Sequence, residues 1–259
     1  MAMDKSGKKR ILLKIGSNTL TKETDTISRE KLADIASQIA EMRNEYDFII
    51  VSSGAIAAAK EFVNLQQKET NIKVKQALAS IGQPYLMRMF QDVFVEYNLL
   101  TAQCLLSYAD FENKKTQTNI SNTISVLLEN NYIPIINEND TVSTEEIKFG
   151  DNDKLAALTA ALLQVDLCVI ATNTYGIYTK ASLQNGSPKT ITEVIDISAL
   201  AEEVADGKSS HGTGGMQSKI VAIEITQKAG IETWIVNGLI ERFLLHSQLQ
   251  KIPFTKVKA

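Results

Sequence analysis

Two lysines and an aspartate, each next to a turn, are the residues whose types and positions best suit a chemical role. Lys14 lies at the end of an apolar run, Lys219 follows a glycine-dense stretch, and Asp153 opens a helical pattern. An ammonium group in an apolar segment must reach water, a carboxylate or a phosphate, because burying it unpaired is costly. Phosphoryl transfer requires cations around the phosphoryl oxygens and little covalent help. The three residues therefore favour phosphoryl transfer.

Only two histidines are present, but a carboxylate acceptor would need no general base. Its pKa is about 4, so it is already ionised near pH 7. His211 has no partner at ligand spacing, and no metal-ligating residue is predicted.

Glycine turns follow the first two apolar runs. Gly16 and Ser17 come after the first, and Ser53 and Gly54 come after the second. Glycine lets an anion approach backbone N–H groups, and a helix start adds positive partial charge. Each turn could hold a phosphate, although turn chemistry alone explains either glycine taken singly.

Two polar clusters follow later in the chain. The run from Asn137 to Asp140 suits the ammonium and carboxylate groups of a zwitterion, although an ordinary polar loop has the same composition. The run from Gly150 to Lys154 opens a helix, and one helix cap does not explain its three polar residues. It is no calcium loop, because Ala156 stands where that loop needs glycine.

The glycine-dense stretch from Gly212 to Lys219 resembles a phosphate-binding loop without matching a standard one. Gln217 stands where a dinucleotide-binding motif needs Gly or Ala, and Glu202 stands where a Walker A loop needs Gly. A flexible surface loop is the alternative interpretation.

Composition excludes several functional classes. The chain has 259 residues, 44% of them hydrophobic, with 27 Lys+Arg against 30 Asp+Glu and a net charge of -3. This balance lacks the basic surface that nucleic acids or anionic membranes select. No uncharged run approaches the ~20 apolar residues of a membrane-spanning helix. With two cysteines in apolar runs and no leader-like start, the sequence predicts a cytoplasmic protein that binds neither nucleic acid nor membrane.

Short apolar runs alternate with amphipathic stretches, which predicts a mostly parallel sheet covered by helices on both faces. Ligands bind beyond the carboxyl ends of such strands, where the polar motifs stand. The polar segment from Thr174 to Thr190 is predicted to form a hairpin or excursion. The predicted strands are residues 10–15, 47–51, 101–106, 132–136, 167–171 and 233–236, and the longer predicted helices are one following Ser28 and those over 74–94, 119–130, 155–164 and 216–229.

Taken together, these motifs resemble the glutamate 5-kinases of the amino acid kinase family. The matching segments run from Lys14 to Lys219 in family order and comprise residues 14–17, 51–58, 134–140, 146–153 and 212–219. The resemblance implies a three-layer α/β/α sandwich with about eight central strands. It implies a single domain over 1–259, with a glutamate-binding lobe at about 8–165 and an ATP-binding lobe at about 166–259. Because the chain ends at Ala259, we expect no C-terminal pseudouridine synthase and archaeosine transglycosylase domain.

The resemblance also assigns roles to residues. Lys14 and Lys219 would flank the transferring phosphoryl group, and Asp153 would hold their ammonium groups in position. Backbone N–H groups of Gly16, Ser17 and Gly54 would bind the phosphoryl group. The implied glutamate-binding residues are Ser53, Asn137, Asp140, Asp151 and Asn152, and the implied ATP-binding residues are Lys14, Thr172, Asn173, Thr213, Gly214, Gly215, Met216, Gln217, Ser218 and Lys219.

The implied reaction is phosphorylation of the γ-carboxylate of L-glutamate by ATP with Mg²⁺, the first step of proline biosynthesis. Proline would be a feedback inhibitor, and the protein would form a homo-oligomer, a dimer or tetramer. One departure concerns Asn173, where members of the family usually carry Asp, so the nucleotide contact there is predicted to differ.

Two alternatives remain open from the sequence. Another member of the family, acting on uridylate, carbamate or acetylglutamate, would share the lysines and the glycine turns. The polar runs at 137–140 and 151–152 favour a free amino acid, since a nucleotide acceptor calls for basic residues instead. A non-catalytic amino-acid sensor is predicted to lack one of the two lysines, and both are present.

Overall fold

The computed structural model describes residues 7–63, 71–142, 152–200 and 215–259, apart from the side chains of residues 199 and 200. The strands are β1 Lys9–Ile15, β2 Tyr46–Ser52, β3 Leu100–Leu106, β4 Tyr132–Glu138, β5 Leu167–Thr172, β6 Ile177–Tyr178, β7 Thr190–Ile191, β8 Glu193–Val194, β9 Glu232–Asn237 and β10 Thr255–Val257. The α-helices are α1 Ser17–Leu20, α2 Arg29–Met42, α3 Ala55–Lys60, α4 Ile72–Phe94, α5 Lys114–Glu129, α6 Asp153–Leu163, α7 Lys180–Gln184, α8 Ile197–Leu200, α9 Met216–Lys228 and α10 Phe243–Gln248. Two 3₁₀ turns cover Val95–Tyr97 and Tyr108–Phe111.

Eight of these strands form one central sheet in the order β3-β4-β2-β1-β5-β9-β10-β8. The first six in that order are parallel to one another. Strand β10 runs antiparallel to β9, and β8 runs parallel to β10. Because β1 pairs with both β2 and β5, the sheet is continuous between the predicted lobes, whose boundaries stay a prediction.

The central strands are apolar along their whole length because helices cover both faces of the sheet. In β1, Leu13 and Ile15 pack with α2, α4 and α10, whereas Leu12 packs with α5, α6 and α9 on the opposite face. The mostly parallel three-layer sandwich predicted from the sequence is confirmed, as are its six predicted strands. The predicted excursion at 174–190 contains β6, α7 and the start of β7, with β6 and β7 forming a separate antiparallel pair.

Local sequence signals determine where several helices begin. Ser28 caps α2, as predicted, by accepting a hydrogen bond from the backbone N–H of Lys31. At Gly82 in α4, an added Cβ would lie 1.8 Å from the carbonyl oxygen of Ala55. Only glycine permits this backbone contact, which holds α3 and the turn before it at the carboxyl end of β2.

None of the described helices is both long and apolar enough to cross a membrane.

Candidate active site

The carboxyl ends of β1, β2, β4 and β5 meet at one edge of the sheet, and the polar motifs of the sequence gather there. Lys14, one residue before the end of β1, lies in register between Val51 of β2 and Ile170 of β5. Strand alternation turns its side chain towards α6, where it is 3% exposed. Its Nζ lies 2.7 Å from Oδ1 of Asp153, and a Cβ added to Gly16 would lie 3.2 Å from the same Nζ. The ammonium group therefore lies against the turn that follows β1.

Lys219 reaches the same carboxylate from the other side. It lies in the first turns of α9, is 7% exposed, and places Nζ 3.0 Å from Oδ2 of Asp153. The hydroxyl of Ser218 lies 3.2 Å from that oxygen and 2.8 Å from the carbonyl oxygen of Gly215, so its one proton can be donated to either. Residues from one strand and one helix thus converge on the carboxylate of Asp153, which a second helix carries.

Asp153 is completely buried as the first residue of α6, where the positive end of the helix favours a carboxylate. Burial would raise its pKa, but attraction to the ammonium groups of Lys14 and Lys219 outweighs burial and holds the pKa well below its usual range. We call Lys14, Asp153 and Lys219 the charged trio. Two cations and one anion leave it a net positive charge, which suits a bound phosphate.

A row of side-chain amides, here called the amide chain, begins at the residue before Asp153. Asn152 donates from Nδ2 to the carbonyl oxygen of Ser52 and to Oδ1 of Asn137, both at 2.7 Å. Asn137 donates to Oε1 of Gln83 at 2.8 Å, and Gln83 donates to Oε1 of Gln103 at 3.0 Å. Asn152 is the N-cap of α6 by position, yet its side chain does not cap the helix. Its side chain instead joins β2, β4 and α6 at the site.

Two buried oxygens beside the amide chain have no hydrogen-bond partner among the described residues. They are Oδ1 of Asn152 and Oγ of Ser53, whose residues are 0% and 3% exposed. Buried polar atoms in proteins are nearly always paired, because an unmade hydrogen bond costs about 1–3 kcal/mol. These atoms therefore indicate where a ligand could supply hydrogen-bonding groups.

A cavity of about 170 Å³ lies between α4 and the ends of β3 and β4. Gln83, Gln103, Glu138 and Asp140 are among the residues that line it. Burial, and next the nearby negative charge of Glu138, raise the pKa of Asp140 to about 7. An acidic, amide-lined cavity of this kind suits a small ligand that carries an ammonium group.

The predicted phosphoryl-binding turns lie at the same edge. Gly16 precedes α1, and Gly54 precedes α3 with a φ of 103°, a conformation that favours glycine. The first N–H groups of a helix have no acceptor within it. The N–H groups of Ser17 and Ala55 can therefore point to an anion near Lys14.

The predicted nucleotide-binding residues lie on the other side of the charged trio. Thr172 and Asn173 are half-buried at the end of β5, and the amide of Asn173 donates to Oε1 of Glu23 at 2.9 Å. Gly215 is the N-cap of α9, Met216 is half-buried and Gln217 is exposed in its first turn. The remaining predicted site residues, Asp151, Thr213 and Gly214, lie outside the described residues.

Sequence reasoning missed Gln83, Gln103 and Glu23. Gln83 could have been found, because it lies on the buried stripe of α4 with Ala79, Leu86 and Phe90, where an amide is out of place. Gln103 and Glu23 carry no such signal, since their roles depend on which elements lie next to theirs.

The sequence and the fold of the chain are similar to those of known proteins. Residues 9–237 match the Amino acid kinase family. A glutamate 5-kinase of Caldanaerobacter subterraneus subsp. tengcongensis is 42% identical over 91% of this chain and 64% of its own length. One of Haemophilus influenzae is 38% identical over 89% of this chain and 63% of its own length. The chain thus spans slightly less than two thirds of these two relatives. A glutamate 5-kinase of Carboxydothermus hydrogenoformans is 38% identical over 96% of this chain and 69% of its own length.

Solved structures share the fold at low sequence identity. The UMP kinase of Ureaplasma parvum has a TM-score of 0.66 and 18% identity, covering 97% of this chain and 99% of that one. The carbamate kinase of Giardia lamblia bound to AMP-PNP has a TM-score of 0.68 and 14% identity, covering 98% and 99%. Because the family match spans well over half of its residues, the chain belongs to the amino acid kinase family.

Proposed function

We propose that this chain transfers the γ-phosphoryl group of ATP to the γ-carboxylate of L-glutamate, giving L-glutamyl 5-phosphate and ADP, the first step of proline biosynthesis. The observation that carries the proposal is Asp153, whose two carboxylate oxygens hold Lys14 and Lys219 at 2.7 and 3.0 Å. The glutamate 5-kinases of three organisms, at 38–42% identity, support the choice of acceptor.

On the phosphoryl side, the charged trio stabilises the charge that develops during transfer. A γ-carboxylate oxygen attacks the γ-phosphorus, the bond to the oxygen bridging the β- and γ-phosphates breaks, and ADP leaves with the electron pair. Lys14 would approach the phosphoryl oxygens from the glutamate-binding lobe and Lys219 from the ATP-binding lobe. Because Asp153 fixes both ammonium groups in advance, little reorganisation is needed during the reaction. Backbone N–H groups at Gly16, Ser17 and Gly54 would add hydrogen bonds.

On the acceptor side, Asp140 would accept hydrogen bonds from the α-ammonium group of glutamate. Oδ1 of Asn152 could also accept from that group, while Oγ of Ser53 could donate to a carboxylate. Asn137 has its Oδ1 and an N–H engaged by neighbours, so its main task would be to orient Asn152. Asp151, which lies outside the described residues, would also bind glutamate.

On the nucleotide side, Thr172, Asn173 and residues 213–219 would bind ATP. Mg²⁺ would enter with ATP and neutralise charge on its phosphates. No described group of three or more acidic, histidine or cysteine residues could hold a metal ion, and the carboxylate of Asp153 is occupied by two ammonium groups. Phosphate and water oxygens would therefore supply most of the metal ligands, as Mg²⁺ tolerates well.

Regulation and assembly follow as further parts of the proposal. Like glutamate, proline carries an α-carboxylate and a positively charged α-nitrogen, here a secondary ammonium, so it would compete at Asp140 and Asn152. We also propose a homo-oligomer, a dimer or tetramer, in the cytoplasm, where glutamate and ATP are both present.

The predicted division at about residue 165 would place glutamate and ATP in different lobes of one domain.

A hydroxylamine-trapping assay tests the proposal. The protein is incubated with ATP, Mg²⁺ and either L-glutamate, N-acetyl-L-glutamate or no acceptor, and acyl phosphates are captured as hydroxamates. A coupled assay of ADP release covers UMP and carbamate. The expected result is that, of these acceptors, L-glutamate is the one that gives a hydroxamate.

Turnover with N-acetyl-L-glutamate, UMP or carbamate instead would assign the chain to another activity of its family. Binding of glutamate or proline without ADP release from any acceptor would indicate a sensor. Either outcome would contradict the proposed reaction.

A further inference from the structure

One contact joins the connection between α1 and α2 to the residue that follows β5, at the nucleotide side of the site. The amide nitrogen of Asn173, immediately after β5, donates to Oε1 of Glu23 at 2.9 Å. Glu23 lies in the connection between α1 and α2, which is otherwise distant in sequence. The contact therefore links the connection between α1 and α2 with the strand end predicted to bind ATP.

Local contacts hold the backbone of Glu23, whose side chain is exposed. Lys22 and Glu23 both have left-handed backbones, with φ of 50° and 61°, which is uncommon for residues with a side chain. The N–H of Glu23 donates to the carbonyl oxygen of Asn18 at 2.9 Å, which closes the end of α1. The side chain of Lys22 pairs separately, with Glu30 at 2.9 Å.

The chemistry of the two side chains fixes the orientation of the amide. A carboxylate only accepts hydrogen bonds, whereas an amide has one end that donates and one that accepts. With Glu23 as partner, Asn173 must offer its N–H groups to it. Its Oδ1 is then directed away from Glu23 and can accept a hydrogen bond.

Asn173 lies where its oriented amide oxygen can contact a ligand. Thr172, the preceding residue, pairs with Asn237 of β9, and its carbonyl oxygen accepts from the N–H of Gly238 at 2.8 Å. Both Thr172 and Asn173 are half-buried, at the sheet edge where ligands of such folds bind. A fixed acceptor at this point can select a neutral donor group of a nucleoside.

We propose that Glu23 is a positioning residue that orients Asn173 so that its Oδ1 accepts a hydrogen bond from a neutral donor of the ATP nucleoside, a ribose hydroxyl or the adenine amino group. This inference rests on the proposed function only for the identity of the nucleotide. It can be measured by binding alone, without turnover.

The test is the substitution Glu23→Gln. A glutamine can accept or donate, so it no longer selects one orientation of Asn173. We expect the Kd of ATP, measured by calorimetry with Mg²⁺, to rise about three- to tenfold, as loss of one neutral hydrogen bond implies. The Kd of glutamate and the melting temperature should not change. Glu30→Gln, a change of the neighbouring glutamate that pairs with Lys22, is the matched control and should leave the Kd of ATP unchanged.

Nucleotide analogues identify the donor group. We compare ATP with 2′-deoxy-ATP, 3′-deoxy-ATP and purine riboside triphosphate. The Kd values of wild type and Glu23→Gln should differ for every nucleotide except the one analogue that lacks the donor group. A merely structural contact would weaken all four nucleotides equally, and that result would overturn the inference.

A paired substitution adds a second test. Asn173→Asp alone places two carboxylates together and should raise the Kd of ATP, whereas Asn173→Asp with Glu23→Gln should restore it, because the new glutamine can donate to the new aspartate. An unchanged Kd of ATP in Glu23→Gln would overturn the positioning role. Absence of glutamate phosphorylation in a wild type that binds ATP would contradict the proposed reaction alone.

Discussion

The two polar regions that meet at Asn152 and Asp153 differ in how their buried groups are satisfied. In the charged trio, Asp153 pairs with two lysines, and the carboxylate is fully buried. In the amide chain, neutral groups bind one another, but Oδ1 of Asn152 and the nearby Oγ of Ser53 have no partner among the described residues. The charged groups thus pair with one another, whereas the neutral region has buried hydrogen-bonding capacity left for a ligand.

This difference predicts how each region responds to substitution. Changes in the charged trio should lower stability or turnover, because its groups depend on one another and act on charge that develops during the reaction. Changes around the amide chain should act mainly on the KM of glutamate, because they alter contacts made in the ground state.

The largest effect is expected for Asp153→Asn. The change leaves two buried ammonium groups without their carboxylate, which should lower the free energy of unfolding by about 3–5 kcal/mol. Urea titration followed by circular dichroism measures this loss. The pKa of Asp153 is lowered on folding, so its contribution is complete above about pH 4 and is lost as the pH falls below that value. The destabilisation by Asp153→Asn should therefore shrink in acid.

An exposed ion pair is the control for this stability effect. Lys258 and Glu193 lie 2.7 Å apart with about half of each side chain exposed. Glu193→Gln should cost less than about 1 kcal/mol, as is typical of surface pairs. Equal losses at the two sites would contradict the view that the charged trio is a buried, mutually dependent unit.

The next effect in size is expected for Lys219→Ala. Loss of one cation that stabilises developing charge should lower kcat by at least ~100-fold. The fold should persist, because Lys14 still pairs with Asp153. Steady-state kinetics with the hydroxamate assay measures the change, and Lys228→Ala, an exposed lysine at the end of the same helix, is the control. A variant with wild-type turnover would remove Lys219 from the mechanism.

A smaller effect, dependent on pH, is expected at Asp140. Its pKa is raised to about 7 in the ligand-free protein, so it becomes protonated below that pH and loses the charge that attracts an ammonium group. The kcat/KM for glutamate should therefore fall as the pH drops below 7, approaching tenfold per unit, while the KM of ATP stays constant. Asp140→Asn should raise the KM of glutamate at pH 8 and remove this pH dependence. If Asp140→Asn weakened ATP binding instead, the assignment of the lobes would be reversed.

The main features of the fold were predictable from the sequence. Continuous apolar strands indicate a sheet covered on both faces, and residues directly after such strands must lie at one edge. The grouping of Lys14, Asp153 and Lys219 was implied by the resemblance to the amino acid kinase family, and the roles assigned to them stay predictions. Strands β8 and β10 were not predicted, because two or three residues are too few to show a period.

Contacts between the side chains of neighbouring elements could not be predicted in the same way. Asn152 and Asp153 are neighbours in sequence, yet the side chain of one joins the amide chain and that of the other joins the charged trio. Asn152 is the N-cap and Asp153 the first residue of α6, and the non-helical backbone at Asn152 directs the two side chains apart. The pairing of Gln103 with Gln83, or of Glu23 with Asn173, depends on packing between elements that no local pattern specifies.

The smallest effect is expected at the far end of the amide chain. Gln103 is exposed and accepts from Gln83, three hydrogen bonds away from the buried oxygen of Asn152. In Gln103→Ala, water can replace the lost acceptor, so the KM of glutamate should rise only about two- to threefold, within the range of one neutral hydrogen bond, with kcat unchanged. Gln91→Ala, an exposed position on α4, is the control. A change in kcat larger than the change in KM would show that the amide chain acts on the charged trio rather than on the acceptor, and would remove the distinction between the two regions.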